Sequence, residues 1–192
     1  MVTIDRQRFF DVMASFPSGV AIVTTVAEDG APRGLTTTAV CSVSAEPPTI
    51  LVCVDLASRT LAALRTTRRF VVNFVGEGRS ELCLLFASKV EDKFERVSWR
   101  PTAAGLPLLD ADALAWAECA TTHELEVGDH VVLVAQVADG GVQPGLEPPL
   151  MYYRRSWGVW SPVHEPAEEV PLAGKAIEIS GRDLKWQQGA EY

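Results

Sequence analysis

Val20-Ala21-Ile22-Val23-Thr24-Thr25-Val26 carries β-branched side chains at six of its seven positions, and Glu28-Asp29-Gly30 follows close behind. β-Branched residues suit a pleated strand, and Asp-Gly is a strong hairpin signal. Residues 32–40, which include Thr36, Thr37 and Thr38 in a row, supply the return arm. The stretch therefore predicts a β-hairpin. Upstream, Phe9, Val12, Met13 and Phe16 recur at helical spacing. They predict a helix over residues 5–16 with one apolar face, Asp5 as its N-cap, and Pro17 with Gly19 ending it.

Working downstream, Pro47-Pro48 punctuates the chain before the apolar run Thr49-Ile50-Leu51-Val52-Cys53-Val54, which has strand length. Ser58 is placed to cap a helix over 59–67, with Leu61 and Leu64 inward. Residues 70–75 read as a strand. Residues 79–87 read as a helix with Leu82, Leu85 and Phe86 on one side. Pro101, Gly105 and Pro107 make 99–110 loop-like. Two long strands follow over about 113–125 and 129–139, split at Gly128-Asp129, and a last one near 150–154. Short turns join several of these strands, which argues against a doubly wound parallel sheet. Closure removes exposed strand edges, so the expected fold is mainly β with flanking helices, in an antiparallel barrel.

Residues 1–160 read as the folded body. Residues 161–192 hold Pro162, Pro166 and Pro171, six acidic and three basic residues, and little periodicity. They read as an acidic C-terminal extension.

Charge narrows the function. Seventeen basic against 25 acidic residues leave −8, a poor match to a phosphate backbone or an anionic membrane surface. Nucleic acid and membrane are not expected partners. No apolar run reaches bilayer length and no secretory h-region is visible, so a reducing cytoplasm is the expected compartment. Cys41, Cys53, Cys83 and Cys119 are widely spaced, which points to small core residues rather than a metal or disulfide framework.

The three histidines, His123, His130 and His164, lie outside any metal-ligand spacing, and neither a nucleophile elbow nor a phosphate-binding glycine loop is present. Side-chain chemistry is not advertised. Either the chain is a binding module, or a cofactor carries the chemistry and the protein supplies geometry. The run Thr36-Thr37-Thr38-Ala39-Val40-Cys41-Ser42-Val43-Ser44 crowds hydroxyls and small side chains where a flat ring can approach main chain. Ser58 and Thr60 stand at a helix start that favours an anion, and Lys93 can add positive charge. Taken singly, these are also an ordinary threonine-rich strand, an ordinary cap and a solvated lysine. His130 after Gly128-Asp129 is equally an ordinary turn residue.

In chain order, the sequence carries Phe16-Pro17-Ser18-Gly19-Val20, Gly34-Leu35-Thr36-Thr37-Thr38, Ser42-Val43-Ser44 before Pro47-Pro48, Ser58 with Thr60, Phe70-Val71-Val72-Asn73, Phe86-Ala87 with Asp92-Lys93-Phe94, Gly128-Asp129-His130 and Pro149-Leu150-Met151-Tyr152-Tyr153. This ordered set, from about Phe9 to Trp160, resembles the flavin reductases of the FMN-binding split-barrel family, the reductase components of two-component flavin-dependent monooxygenases. The resemblance implies a six-stranded, Greek-key split barrel, a homodimer, and NAD(P)H-dependent reduction of free flavin for a separate monooxygenase in secondary or aromatic metabolism. FAD is the expected flavin ahead of FMN, and NADH the expected donor ahead of NADPH.

The resemblance also implies site residues. Thr36, Thr37, Thr38, Ala39, Ser42, Val43 and Ser44 would hold the isoalloxazine and ribityl chain. Ser58, Thr60, Phe86, Ala87, Ser88, Lys93 and Phe94 would hold the phosphate end, with Cys53, Val54, Asp55 and Asn73 also assigned to flavin. His130 would position the nicotinamide without transferring a proton, with Gly19, Tyr153 and Trp157 nearby. No metal is expected. The last strand departs from the family, reading Arg154-Arg155-Ser156-Trp157-Gly158 where a glycine-rich turn is usual. Two other readings stay open: a pyridoxamine-phosphate-oxidase-like enzyme with tightly held FMN, and a flavin-binding protein without turnover.

Overall fold

The computed structural model describes residues 3–145 and 148–162. The extension expected from residue 161 lies outside the described residues except for Ser161 and Pro162. Helix α1 (Arg6–Ala14) is followed by β1 (Ser18–Gly19), β2 (Ala21–Val26), β3 (Pro32–Thr37), β4 (Val40–Ala45) and β5 (Pro48–Asp55). Helix α2 (Arg59–Thr67), β6 (Arg69–Val75) and α3 (Ser80–Ala87) come next, and then β7 (Arg100–Pro101) and β8 (Pro107–Leu108). The long pair β9 (Ala113–Val127) and β10 (His130–Val142) precedes a closing hairpin, β11 (Leu150–Tyr153) and β12 (Ser156–Val159).

The main sheet has seven strands in the order β3-β2-β6-β9-β10-β5-β4, all paired antiparallel. Its two edges, β3 and β4, are consecutive in the chain, with only Thr38 and Ala39 between them. A flat sheet of seven strands would hold its edges about 29 Å apart at the usual strand spacing. Three Cα steps span at most about 11 Å. The sheet must therefore curl until its edges nearly meet. The amide of Cys53 donates to the Ala39 carbonyl at 3.0 Å, continuing the β4–β5 ladder into the link, and the Thr37 hydroxyl of β3 reaches the Cys53 carbonyl at 3.5 Å. From β5 the chain passes over β10 and β9, by way of α2, to reach β6, the crossing expected of a Greek-key barrel.

The strand count is one more than the six expected. The arm read as residues 32–40 is two strands, because the chain leaves one sheet edge at Thr37 and joins the other at Val40. The segment 99–110 also contains the small β7–β8 pair, whose Leu106, Leu108 and Leu109 are buried. Strand β12 was not expected. It turns through Arg154 and Arg155 at φ 47° and 62°, a left-handed geometry that asparagine or glycine usually marks.

Alternate residues of the strands fill the barrel. Ala21, Val23, Val52, Val54, Phe70, Val72, Val131 and Leu133 face inward, and Leu61 and Leu64 of α2 pack onto the same cluster, as expected. Val20 and Ile22 turn the other way, into a second cluster with Cys83 and Phe86 of α3. Burial on both faces explains why β2 shows no apolar–polar alternation. The buried hydroxyl of Thr25 donates to the Arg69 carbonyl at 2.7 Å, and that of Thr24 donates to the Pro107 carbonyl. Helix α1 starts at its predicted cap, where the Asp5 carboxylate accepts from the Arg8 amide. Its apolar face is not covered among the described residues: Phe9 is 49% exposed and Phe16 66%.

Gly34 on β3 lies against α3. A Cβ there would stand 2.7 Å from Cε1 of Phe86, whose side chain is only 1% exposed, and 3.2 Å from the Val23 carbonyl oxygen. Neither neighbour is free to move away. Gly34→Ala is expected to lower stability by about 1–3 kcal/mol, as overpacking does, read from the midpoint of urea unfolding.

Candidate active site

A cleft of about 600 Å³ opens where β3, the end of β5, the start of α2 and the end of α3 converge. The volume lies within the range of small-ligand sites, about 300–1,000 Å³. Local chemistry makes each wall. Asp55 ends β5, and its carboxylate accepts from the Ala57 amide at 2.7 Å, which turns the chain toward α2. Ser58 then caps α2 by accepting from the Thr60 amide. The Thr60 hydroxyl crosses to donate to the Gly34 carbonyl at 3.1 Å and ties α2 to β3. Antiparallel pairing sets His130, the first residue of β10, opposite Asp55.

Many polar groups expected to face a ligand are already engaged. The Thr36 hydroxyl donates to the Cys83 carbonyl at 2.6 Å. The Thr37 hydroxyl accepts from the Ala39 amide at 3.0 Å. Ser88 donates to the Leu85 carbonyl and accepts from the Val90 amide, closing α3. The Lys93 ammonium donates to the carbonyls of Phe86 at 2.7 Å and Gly34 at 3.4 Å. Half-buried, it is held below the ordinary lysine range, first by burial and then by the charge of Arg59. His130 Nδ1 lies 2.7 Å from Asp129 Oδ1, and that contact keeps the Asp129 carboxyl below the usual range.

The cleft gathers Arg33, Arg59, Lys89 and Lys93 against the carboxylates of Asp55 and Glu91. A positive recess in a chain of net −8 suits an anionic ligand. Arg59 sits on the first turn of α2, where a cation opposes the helix dipole. Its guanidinium reaches the Lys89 carbonyl, and its Nη1 lies 3.1 Å from Glu91 Oε1.

Of the residues expected from sequence, Thr36, Thr37, Cys53, Val54, Asp55, Ser58, Thr60, Phe86, Ala87, Ser88, Lys93, Phe94 and His130 line this one cleft. Ala39, Ser42, Val43 and Ser44 run along the neighbouring sheet edge and do not line it. Thr38 opens instead onto a second cavity of about 380 Å³, beside Tyr152, Arg154 and Arg155. Gly19, Tyr153 and Trp157 belong to the separate β1-β11-β12 sheet, where Gly19 pairs with Met151 and Trp157 packs on Tyr152 at 5.0 Å. Within the chain they do not join His130.

Asn73 is a correction. Its side chain is buried in the core, where Nδ2 donates to the Ile22 carbonyl and to the Thr24 hydroxyl. Its Oδ1 accepts from the Leu109 amide at 2.9 Å. Both Nδ2 hydrogens are spent in the core, and the side chain does not line the cleft. Arg33, Gly34, Arg59, Lys89 and Glu91 were missed. For Arg59 a signal existed, since it follows the predicted cap directly.

The model of the flavin reductase like domain matches residues 13–161. The chain belongs to the flavin reductase family. It is 42% identical over 169 residues to a flavin reductase (NADH) of Kitasatospora aureofaciens, covering 88% of this chain and 86% of that one. It is 37% identical to the reductase component of a 4-nitrophenol 4-monooxygenase/4-nitrocatechol 2-monooxygenase of Rhodococcus opacus, over 91% of each. An NADH:FAD oxidoreductase of Streptomyces globisporus, solved with NAD and FAD fragments, superposes with a TM-score of 0.78 at 27% identity, covering 86% of this chain and all of that one. This flavin reductase is thus an oxidoreductase that reduces flavin with a reduced nicotinamide nucleotide. No helix among its described residues is long and apolar enough to cross a membrane.

Asn73→Ala in the reductase would orphan the buried Leu109 amide, while the Ile22 carbonyl keeps its place in the β2–β6 ladder. A buried group left unpaired costs about 1–3 kcal/mol. The variant is expected to unfold at lower urea while its folded fraction titrates flavin with unchanged affinity; a selective loss of flavin affinity would restore Asn73 to the site.

Proposed function

We propose that the enzyme reduces free FAD, with FMN as second choice, using NADH, and passes the reduced flavin to a separate monooxygenase. The positive, open cleft carries this reading. It has charge for a phosphate or pyrophosphate, and wall groups largely satisfied within the protein, so a flavin can leave without orphaning them. The match to a relative named for NADH supports the donor, and the match to a monooxygenase reductase component supports the acceptor. The uncovered face of α1 and the exposed Trp160 support a homodimer, since apolar surface of this extent marks an interaction site. A cytoplasmic setting accords with free Cys41, Cys53, Cys83 and Cys119.

The residues fit the flavin they would hold. Arg59, Lys89 and Lys93 would neutralise its phosphates, and the main chain of 53–55 with Thr37 would flank its ring. His130, braced by Asp129, would orient the nicotinamide and transfer no proton. The flavin when bound supplies the redox chemistry, accepting a hydride from the dihydronicotinamide. The protein's contribution is to hold the two rings at reacting distance and to stabilise the arriving charge with fixed donors.

NADH oxidation is expected to require added flavin and to saturate with it. Turnover on a flavin that stays with the protein would favour a prosthetic group, and an absence of turnover would favour a binding protein. His130→Ala is expected to raise the apparent nicotinamide KM with little change in flavin affinity; if both KM and turnover stay normal, the assignment fails.

Lys93 adds a pH dependence. Burial lowers its pKa, so it loses its proton at a lower pH than an exposed lysine. Attraction for FMN phosphate should be full below that pKa and fade as pH rises through it. The FMN dissociation constant, measured by fluorescence titration, should rise on the alkaline side before that of a site built on an exposed lysine. Lys93→Met should remove this limb, and riboflavin, which has no phosphate, should lack it.

A further inference from the structure

From the Arg59–Glu91 contact we infer that Glu91 is a built-in competitor for the flavin phosphate, occupying Arg59 when the site is free and reclaiming it as flavin leaves. The inference rests on the reading of the cleft as the flavin site. Arg59 is the guanidinium on the α2 wall of the cleft, and Glu91 comes from the opposite wall, after α3. The pair spans the two at 3.1 Å. Among the described residues Glu91 takes no other side-chain partner, and its side chain is 89% exposed. Its carboxylate offers Arg59 the same kind of oxygen acceptors that a phosphate would.

Nearby charge favours exchange over a ternary cluster. Lys93 lies close enough for Arg59 to depress its pKa, and Lys89 lines the same wall. Asp55, the other carboxylate of the cleft, is held by the Ala57 amide. Glu91 is therefore the movable anion among these cations. A phosphate arriving at Arg59 would confront the Glu91 carboxylate as a like charge and displace it. Binding becomes a swap of one anion for another, which weakens net affinity and gives release a ready replacement.

The test measures dissociation constants for FMN and for riboflavin, with stopped-flow release rates, on the full chain. Glu91→Gln keeps the shape and removes the charge. It is expected to tighten FMN about two- to fivefold, the scale of an exposed ion pair, with slower FMN release and no change for riboflavin. Arg59→Gln is expected to weaken FMN alone. In the Arg59→Gln background, Glu91→Gln should lose most of its effect, since the two charges act through one contact. Unchanged or weaker FMN binding by Glu91→Gln overturns the competition, as does an equal change for riboflavin. If the unaltered chain binds FMN while the Glu91 result fails, only the competition falls; if it binds no flavin, the reading of the cleft falls with it.

Discussion

Two residues, Thr38 and Ala39, join the two edges of the seven-stranded sheet, and the rest of the molecule depends on that short link. Because the link cannot reach across a flat sheet, the sheet must close on itself. Closure turns the inward residues of β2, β5, β6 and β10 into one core and leaves the edges β3 and β4 almost touching. It also brings the end of β5 beside the end of β3, and the cleft forms on that junction. The same constraint that shapes the barrel thus positions the site.

Helices seal the remaining sides. α2 plugs the barrel with Leu61 and Leu64, while its Thr60 hydroxyl ties back to Gly34. α3 covers the outer face of β2 with Cys83 and Phe86, and its end accepts Lys93. The missing side chain at Gly34 permits both contacts at once: Phe86 fills the space, and the Gly34 carbonyl is left for Thr60 and Lys93. This part of the cleft wall is therefore a by-product of core packing.

Much of this was legible in the chain. Ser58 announced α2, Glu28-Asp29-Gly30 the first hairpin, and Gly128-Asp129 the turn that presents His130. What stayed hidden depended on distance in the fold. β-Branched residues continue through Thr38 and Val40, so nothing local marks the step from one sheet edge to the other. Asn73 carries the same side chain whether it bonds a ligand or the core, and only its partners, Ile22, Thr24 and Leu109, decide. Only the resemblance placed Gly19, Tyr153 and Trp157 near His130, and their pairing puts them on another sheet within the chain. Arg59 and Glu91 are 32 residues apart, and no spacing rule links them.

Hydroxyls that the chain displays in a row are spent on the chain itself. Thr36 and Thr37 secure α3 and the edge crossing, and Ser88 closes a helix. Had these half-buried groups been left for a ligand, each binding and release would have to exchange their water for ligand and back. A site whose walls are satisfied without the ligand holds it by charge and shape instead. Charge acts at longer range and exchanges readily, which suits a flavin that enters oxidised and must leave reduced. The division of labour follows from where the polar atoms are: hydrogen bonds build the cleft, and on the proposed reading the cations of α2 and of the segment after α3 recognise the ligand.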